Sequence, residues 1–384
     1  MLSHGAGLMG VMPHTPPLNP WVSLVSFVMV PGWGGVDLFF TLSGFLITGI
    51  LLRARTQSTY FRSFYARRVL RIFPIYYLFL TGTLLAAHIW PSFAEMVPGT
   101  AKERISFFLY LQNWPLFWPD WDGMYTLWGA FWSLAVEEQF YLVWPTLVRW
   151  LSLRSMLWIC IAGFLLGTPV RWIVINHLTG MDVGALQFPL SRLDGLFLGA
   201  GCALYRELYG KPVPLRWAKL SFWIGAAMLV SIGLTHIEEY LGLGVHISTY
   251  GVAGFALMSA GVVAASQHAV PRLRAVLTLR PLIVAGKYSY GMYVYHLLIF
   301  AGFTALARRI SPATQGEFGL LPALGFIALA ILATTAVAAA SYHLFEQRFL
   351  RLKRFFPSPA APVKGQRCGE NLAKISLDSR SCRG

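Results

Sequence analysis

Two adjacent glutamates, Glu137 and Glu138, interrupt the apolar run Phe131-Trp-Ser-Leu-Ala-Val-Glu-Glu-Gln-Phe-Tyr-Leu-Val-Trp-Pro145. A carboxylate at mid-membrane depth costs about 2.5–3.5 kcal/mol on insertion scales, so a pair kept there marks a site. On a helix the two are about 100° apart, so only one faces a given cavity. The other needs a basic or hydroxyl partner, and Arg171, Arg192 and the tyrosines are available. Tyr141, on the same segment, joins the candidate substrate cavity.

Three further groups can do chemistry. His4, in Ser3-His-Gly-Ala-Gly7, carries the side chain suited to taking a proton from an attacking hydroxyl at neutral pH; a hydrogen-bonded packing histidine is the competing reading. His14 is weaker. In Gly34-Gly-Val-Asp-Leu-Phe-Phe-Thr-Leu-Ser-Gly-Phe-Leu-Ile-Thr48, Asp37, Thr41, Gly44 and Thr48 share one helix face, with Ser43 a further candidate for the cavity. Asp37 either stabilises the helix N-terminus or holds His4 in one tautomer as an orienting third group. Arg68 and Arg71, three residues apart, share a face and can clamp a phosphate-bearing ligand; the alternative is a positive-inside anchor. Tyr293 and His296 lie in the tyrosine-rich segment 286–300, where a structural role is favoured because Tyr and His often satisfy each other between helices. No His/Asp/Glu cluster suggests a metal.

The elements that must position these residues follow from composition. With 56% hydrophobic and 12% charged residues and a mean hydropathy of +0.57, the chain reads as an integral membrane protein. The expected fold is all-α, a single polytopic transmembrane bundle. Apolar spans fall near 33–52, 73–90, 130–148, 155–175, 188–205, 219–236, 247–266, 283–306 and 320–345. Residues 1–12 have span composition but reach only about 18 Å of a core about 30 Å thick, which makes about ten spans with the first truncated. No signal-peptide pattern is present, and a start upstream of Met1 is expected. Residues 1–350 form the transmembrane domain and 351–384 a cytoplasmic tail without fixed structure.

Orientation follows from the basic loops. If the first span enters from the cytoplasm, only Lys102, Arg104, Arg171, Arg192, Arg308 and Arg309 of the 31 Lys and Arg lie towards the outside. Both termini are then inside, and the protein is multi-pass. The +15 net charge is mostly this topology signal, and nucleic acid is excluded as a partner because no soluble basic face exists. Cys160, Cys202, Cys368 and Cys382 form no disulfide framework.

Taken together the motifs resemble the acyltransferase family 3 membrane proteins, bacterial O-acyltransferases of surface glycans. The matching pieces are the His4 helix, segment 35–48, Arg67-Arg-Val-Leu-Arg-Ile-Phe-Pro74, the Trp132–Leu142 segment and Ser289-Tyr-Gly-Met-Tyr-Val-Tyr-His296, in the family's order and over nearly everything to about residue 350. The resemblance implies transfer of an acyl group, commonly acetyl, from acyl-CoA to a carbohydrate hydroxyl of O-antigen, exopolysaccharide or peptidoglycan. His4 matches the family's essential histidine, and Arg68 and Arg71 match its paired donor-binding arginines. The basic residue that precedes this histidine in the family would fall before Met1, a departure that questions completeness more than membership. The esterase-like domains that some relatives carry are also missing.

The expected mechanism holds the phosphates of acyl-CoA, a co-substrate rather than a bound cofactor, at the inner mouth on Arg68 and Arg71. The carbohydrate acceptor enters from the opposite side among membrane lipids. His4, oriented by Asp37 or by Glu137 or Glu138, deprotonates the acceptor hydroxyl or carries the acyl group itself. The rival is a transporter or flippase of a lipid-linked sugar or small solute, using the same buried charges as a pathway. A third reading is a glycan-binding component without activity.

Overall fold

The computed structural model describes residues 34–114, 126–179, 187–239, 247–310 and 320–357, and these are almost wholly helical. The long helices, with one short helix before the fourth and one before the tenth, are α1 Gly34–Ala54, α2 Tyr60–Ile89, α3 Ala101–Phe108, α4 Trp132–Trp150, α5 Leu153–Ile173, α6 Asp194–Tyr209, α7 Leu215–Glu239, α8 Ile247–Ser266, α9 Pro271–Leu277, α10 Arg280–Ile310 and α11 Leu320–Ser341. Each span expected between residues 33 and 345 coincides with one of these helices. The half-span at 1–12 and the tail beyond 357 lie outside the described residues.

Local signals set the helix ends. α1 and α6 carry an aspartate in the first turn, Asp37 and Asp194, and an arginine in the last, Arg53 and Arg206, as the helix dipole favours. Thr100 and Glu103 close a capping box on α3, and the Ser152 hydroxyl accepts from Ser155 N to start α5 directly after α4. Gly210, at φ 66, ends α6 in the left-handed conformation that glycine adopts without strain. α2 and α4 contain Pro74 and Pro145 in their interiors.

Among the described residues, α1, α2, α5, α10 and α11 are long and apolar enough to cross a membrane. A sixth crossing is added if α8 and α9, bent by 105°, count as one. This makes the chain a multi-pass membrane protein. The expected count of about ten is not established by these helices: α4 carries Glu137, Glu138 and Arg149, and α6 is only 16 residues long.

Polar side chains fix the helix directions. Arg55 Nη2 donates to Leu151 O (2.6 Å) and Trp144 Nε1 to Thr48 Oγ1 (2.8 Å), so α1 and α4 run parallel. Tyr60 OH donates to Pro145 O (2.8 Å), while Trp128 Nε1 donates to Thr83 Oγ1 (2.9 Å), so α2 runs against them. The start of α2, with Arg67, Arg68 and Arg71, therefore lies at the same end as the end of α4.

The expected face Asp37, Thr41, Gly44 and Thr48 is buried, and α6 covers most of it. A Cβ on Gly44 would strike the Leu196 carbonyl, and one on Gly199 the Thr41 carbonyl. Gly195, one turn before Gly199, lies under Asp37 O and Thr41 Oγ1. Small residues four apart let the two backbones touch, as in membrane helix pairs where close van der Waals approach replaces the hydrophobic effect. The core beside this seam is aromatic, with Phe40, Tyr76, Phe79, Phe131 and Trp144 all buried.

Candidate functional site

The two glutamates point to opposite neighbours, as their angular separation requires. Glu137 is 2% exposed and faces α1; its hydrogen-bonding partners are the hydroxyls of Ser43 on α1 and of Tyr141, one turn on along α4. Those two hydroxyls also hydrogen-bond to each other. Ser43 is the tenth residue of α1, about 14 Å from its start, so the cluster lies near mid-depth. Glu138 is half-buried and faces α2 and α10, in the electrostatic field of Tyr76, Tyr77, Tyr110 and Tyr290. Oε1 of each glutamate is buried and has no hydrogen-bond partner among the described residues. A lone pair left in that state costs about 1–3 kcal/mol, which is the signature of a group kept for a ligand or a proton.

Arg68 joins this centre to the basic end. Its Cζ lies 4.8 Å from the Tyr141 ring centroid and 5.9 Å from that of Phe64, and it interacts with both glutamates. Arg71 turns instead to Glu346 and Lys353. The two arginines share the sequence face expected for them, but one points inward to the acids and the other along the mouth. Arg67 ties the mouth together: its Nη1 donates to Lys353 O (3.2 Å) and Phe356 O (2.9 Å), while Arg62 stacks over Phe356 at 5.8 Å. Lys353 thereby joins Arg67, Arg68 and Arg71 around one spot. The sequence alone assigned Lys353 to the tail, and nothing in its local pattern signals that the segment after Tyr342 folds back on α2.

The buried arginines go to aspartates, not to the glutamates. Arg171 and Asp194 form a fully buried pair, Nη1 to Oδ2 at 2.6 Å and Nη2 to Oδ1 at 3.3 Å; Arg171 also donates to Ser191 O (2.6 Å) and Thr168 Oγ1 (2.9 Å). Arg192 reaches Asp37 Oδ1 at 3.5 Å and lies over Phe40 and Trp132. Asp37 thus stands at the end opposite the arginine mouth, six residues and about 9 Å before Ser43. Asp194 was not singled out in the sequence, where the expected span 188–205 runs through it; the structure starts α6 at Asp194.

Tyr293 and His296 sit beside the centre. The Tyr293 hydroxyl hydrogen-bonds to Ala130 O and to Ser133 Oγ (2.9 Å). His296 is 4% exposed, and its Nδ1 lies 2.6 Å from the Tyr293 carbonyl. A carbonyl only accepts, so Nδ1 carries the proton. Tyr293 links α10 to the start of α4, and Tyr290 OH donates to Ile72 O (2.6 Å) on α2, so tyrosines of this segment do make the expected bonds between helices. His4 and His14 lie outside the described residues. Among those described, no group of His, Cys, Asp and Glu can hold a metal ion.

The arrangement combines a basic mouth, a guanidinium between that mouth and two buried acids, and hydroxyls around one acid. It suits a reaction that binds an anionic carrier at one end and handles a proton at mid-depth. A family of proteins described as an acyltransferase domain matches residues 1–343. The chain is 28% identical over 305 residues to the peptidoglycan O-acetyltransferase OatA of Listeria monocytogenes, covering 73% of this chain and 47% of that protein. It is 28% identical over 332 residues to the putative peptidoglycan O-acetyltransferase YrhL of Bacillus subtilis, covering 82% and 50%. It is 26% identical over 371 residues to the O-acetyltransferase OatA of Staphylococcus aureus, covering 90% and 57%. The chain spans about half the length of these curated relatives. Their names speak of acetyl transfer and lend no support to a transporter or flippase. No solved structure matches.

Proposed function

The chain belongs to the acyltransferase family and is a membrane-embedded enzyme of acyl transfer, and from that premise we propose that it moves an acetyl group from acetyl-CoA to a hydroxyl of a cell-surface carbohydrate. Relatives named for peptidoglycan make that glycan the first acceptor to try, ahead of O-antigen and exopolysaccharide. In this reading the membrane is the bacterial inner one, the arginine mouth and the C-terminus face the cytoplasm, and the bundle has ten spans in the complete fold.

The observation that carries the reading is the position of Arg68, stacked on Tyr141 and acting on both Glu137 and Glu138. Coenzyme A is polyanionic and cytoplasmic, so Arg68, Arg71 and Lys353 bind its phosphates, with Arg67 bracing the segment that supplies Lys353. The short acyl thioester then extends past Arg68 towards mid-depth. His4 takes the proton of the acceptor hydroxyl, directly or after carrying the acyl group itself. In the direct route the hydroxyl oxygen attacks the thioester carbonyl, the C–S bond breaks, and the coenzyme A thiolate leaves and gains a proton; in the relay the imidazole nitrogen attacks that carbonyl first with the same loss of thiolate, and the hydroxyl oxygen then attacks the acyl-imidazole and breaks its C–N bond. Asp37 is committed to Arg192, so Glu137 and Glu138 are the acids that stabilise the His4 imidazolium, with Ser43 and Tyr141 fixing Glu137. Tyr293 and His296 shape the cavity wall.

The test uses inverted membrane vesicles containing the full chain, labelled acetyl-CoA and peptidoglycan fragments. Alkali-labile acetate should appear on the glycan, disappear in His4→Ala, and require at least tenfold more acetyl-CoA in Arg68→Ala. Normal ester formation by His4→Ala would overturn the assignment of the base, and transport of the glycan without ester formation would overturn the reading as a whole.

A further inference from the structure

Around Glu138 lies a second polar cluster whose other members the steps above do not use. Tyr110 OH, Gln112 Oε1, Asn113 Nδ2, Glu138 Oε1 and Gln139 Oε1 are all buried, and none has a hydrogen-bond partner among the described residues. They come from only two pieces of chain, residues 110–113 after α3 and residues 138–139 on α4. Gln139 Nε2 locks the pieces together, donating to Tyr110 O (2.6 Å) and Asn113 Oδ1 (2.8 Å), while Gln112 Nε2 donates to Phe131 O (2.9 Å). Tyr110 is held at φ 56, in the left-handed region that costs a tyrosine energy, with its ring stacked on Tyr76 at 4.6 Å. Tyr76 OH and Tyr77 OH donate to Phe107 O (2.8 Å) and Phe108 O (3.0 Å), which seats α3 against α2.

Each polar atom left unpaired in the interior costs about 1–3 kcal/mol, and folded proteins carry few of them, so several in one patch suit a polar ligand. Their types restrict its chemistry. The Gln112, Glu138 and Gln139 oxygens accept, Asn113 Nδ2 donates, and the Tyr110 hydroxyl does both. A phosphate only accepts and would be repelled by Glu138, and an ammonium only donates. A neutral molecule with several hydroxyls satisfies the whole set. Glu138 and Gln139 are only half-buried and Trp114 is 37% exposed, so the rim of the cluster is open. The cluster also belongs to the half of the bundle that contains the start of α4, away from the arginine mouth.

We propose that residues 110–113 with Glu138 and Gln139 form a subsite for a neutral polyhydroxylated ligand, a pyranose unit of the acceptor glycan. Its identity as the acceptor rests on the acyl-transfer reading; its chemistry does not. The ligand's hydroxyls complete the orphaned set, and one of them is presented beside Glu138, next to the centre that Arg68 reaches from the other side.

The experiment measures binding of chitotetraose and maltotetraose to the purified full chain in detergent by titration calorimetry, without donor. The expected result is saturable binding of at least one of them, weakened tenfold or more in Tyr110→Phe and in Asn113→Ala. Tyr110→Phe deletes a hydroxyl with no protein partner and keeps the ring, so its Tm should equal or exceed that of the parent, and it decides the matter if Asn113→Ala fails to fold. Absence of saturable binding, or an unchanged Kd in Tyr110→Phe, overturns the subsite and leaves water only on these atoms. Acetyl transfer is measured on the same preparations: binding without transfer sinks the acyl-transfer reading and spares the subsite, whereas transfer with unchanged Kd in the variant does the reverse.

Discussion

Asp194→Asn is the most demanding test of the charge arrangement. The substitution keeps the shape of the side chain and removes the charge facing Arg171, whose guanidinium is 0% exposed. Two charge-assisted hydrogen bonds are weakened, at 2.6 and 3.3 Å, each of a type worth about 1.5–3 kcal/mol. The Asn amide can still accept one of them, so the loss should be about 3–5 kcal/mol, the range seen when one partner of a buried pair is removed. Asp37→Asn should cost only about 1–2 kcal/mol, because its single contact with Arg192 is 3.5 Å long. Unfolding in detergent mixtures of rising SDS fraction, followed by tryptophan fluorescence, measures both. The double variant Arg171→Met with Asp194→Asn removes the stranded cation and should recover about 2–3 kcal/mol of the summed single losses. Equal losses for Asp194→Asn and Asp37→Asn, or a double variant whose loss is the plain sum of the singles, would refute the claim that Arg171 depends on Asp194.

Three other outcomes are expected. Gly199→Ala pushes a methyl group into the Thr41 carbonyl and should destabilise the α1–α6 seam by about 3 kcal/mol or more, whereas Gly35→Ala, with nothing within 4 Å, should leave the detergent Tm within about 2 °C. Tyr141→Phe removes a hydroxyl shared by Ser43 and Glu137 and should lower kcat about 10–100-fold with little change in the KM for acetyl-CoA, as steady-state kinetics in vesicles will show. Lys353→Ala should raise the KM for acetyl-CoA about tenfold while Lys353→Arg preserves it, and the difference should shrink at high salt, since the contact is electrostatic.

The helices were legible because each long one coincides with an apolar stretch of the sequence, and the ends carry ordinary signals such as Thr100 with Glu103. Glu137 stood out in the sequence through the cost of placing an acid in an apolar run, and the angle between it and Glu138 implied two different neighbourhoods; tyrosines occur in both. What the sequence hid was pairing across distance. Arg171 and Arg192 stood as possible partners of the glutamates, yet both meet aspartates, because the short helix start at Asp194 carries its acid beneath α5 and α1. The face from Asp37 to Thr48 looked like a functional stripe and is largely a packing seam, since the same small residues that admit a substrate also admit another backbone. Residues 110–113 gave no periodic signal at all; their meaning comes only from Gln139, 26 positions from Asn113. His4 remains a reading of the sequence.

Pro74 and Pro145 have a bearing on how the two halves of the reaction meet. A proline has no N–H to offer the carbonyl one turn back, so Pro145 releases the carbonyl of Tyr141 and Pro74 that of Leu70, the residue before Arg71. Both helices of the centre therefore lack a rung at the level between the arginines and the acids. Bending the portion of either one at the arginine end therefore costs less than in an unbroken helix, and such a bend leaves Ser43, Glu137 and the α1–α6 seam, which lie on the other side of the prolines or on other helices, where they are.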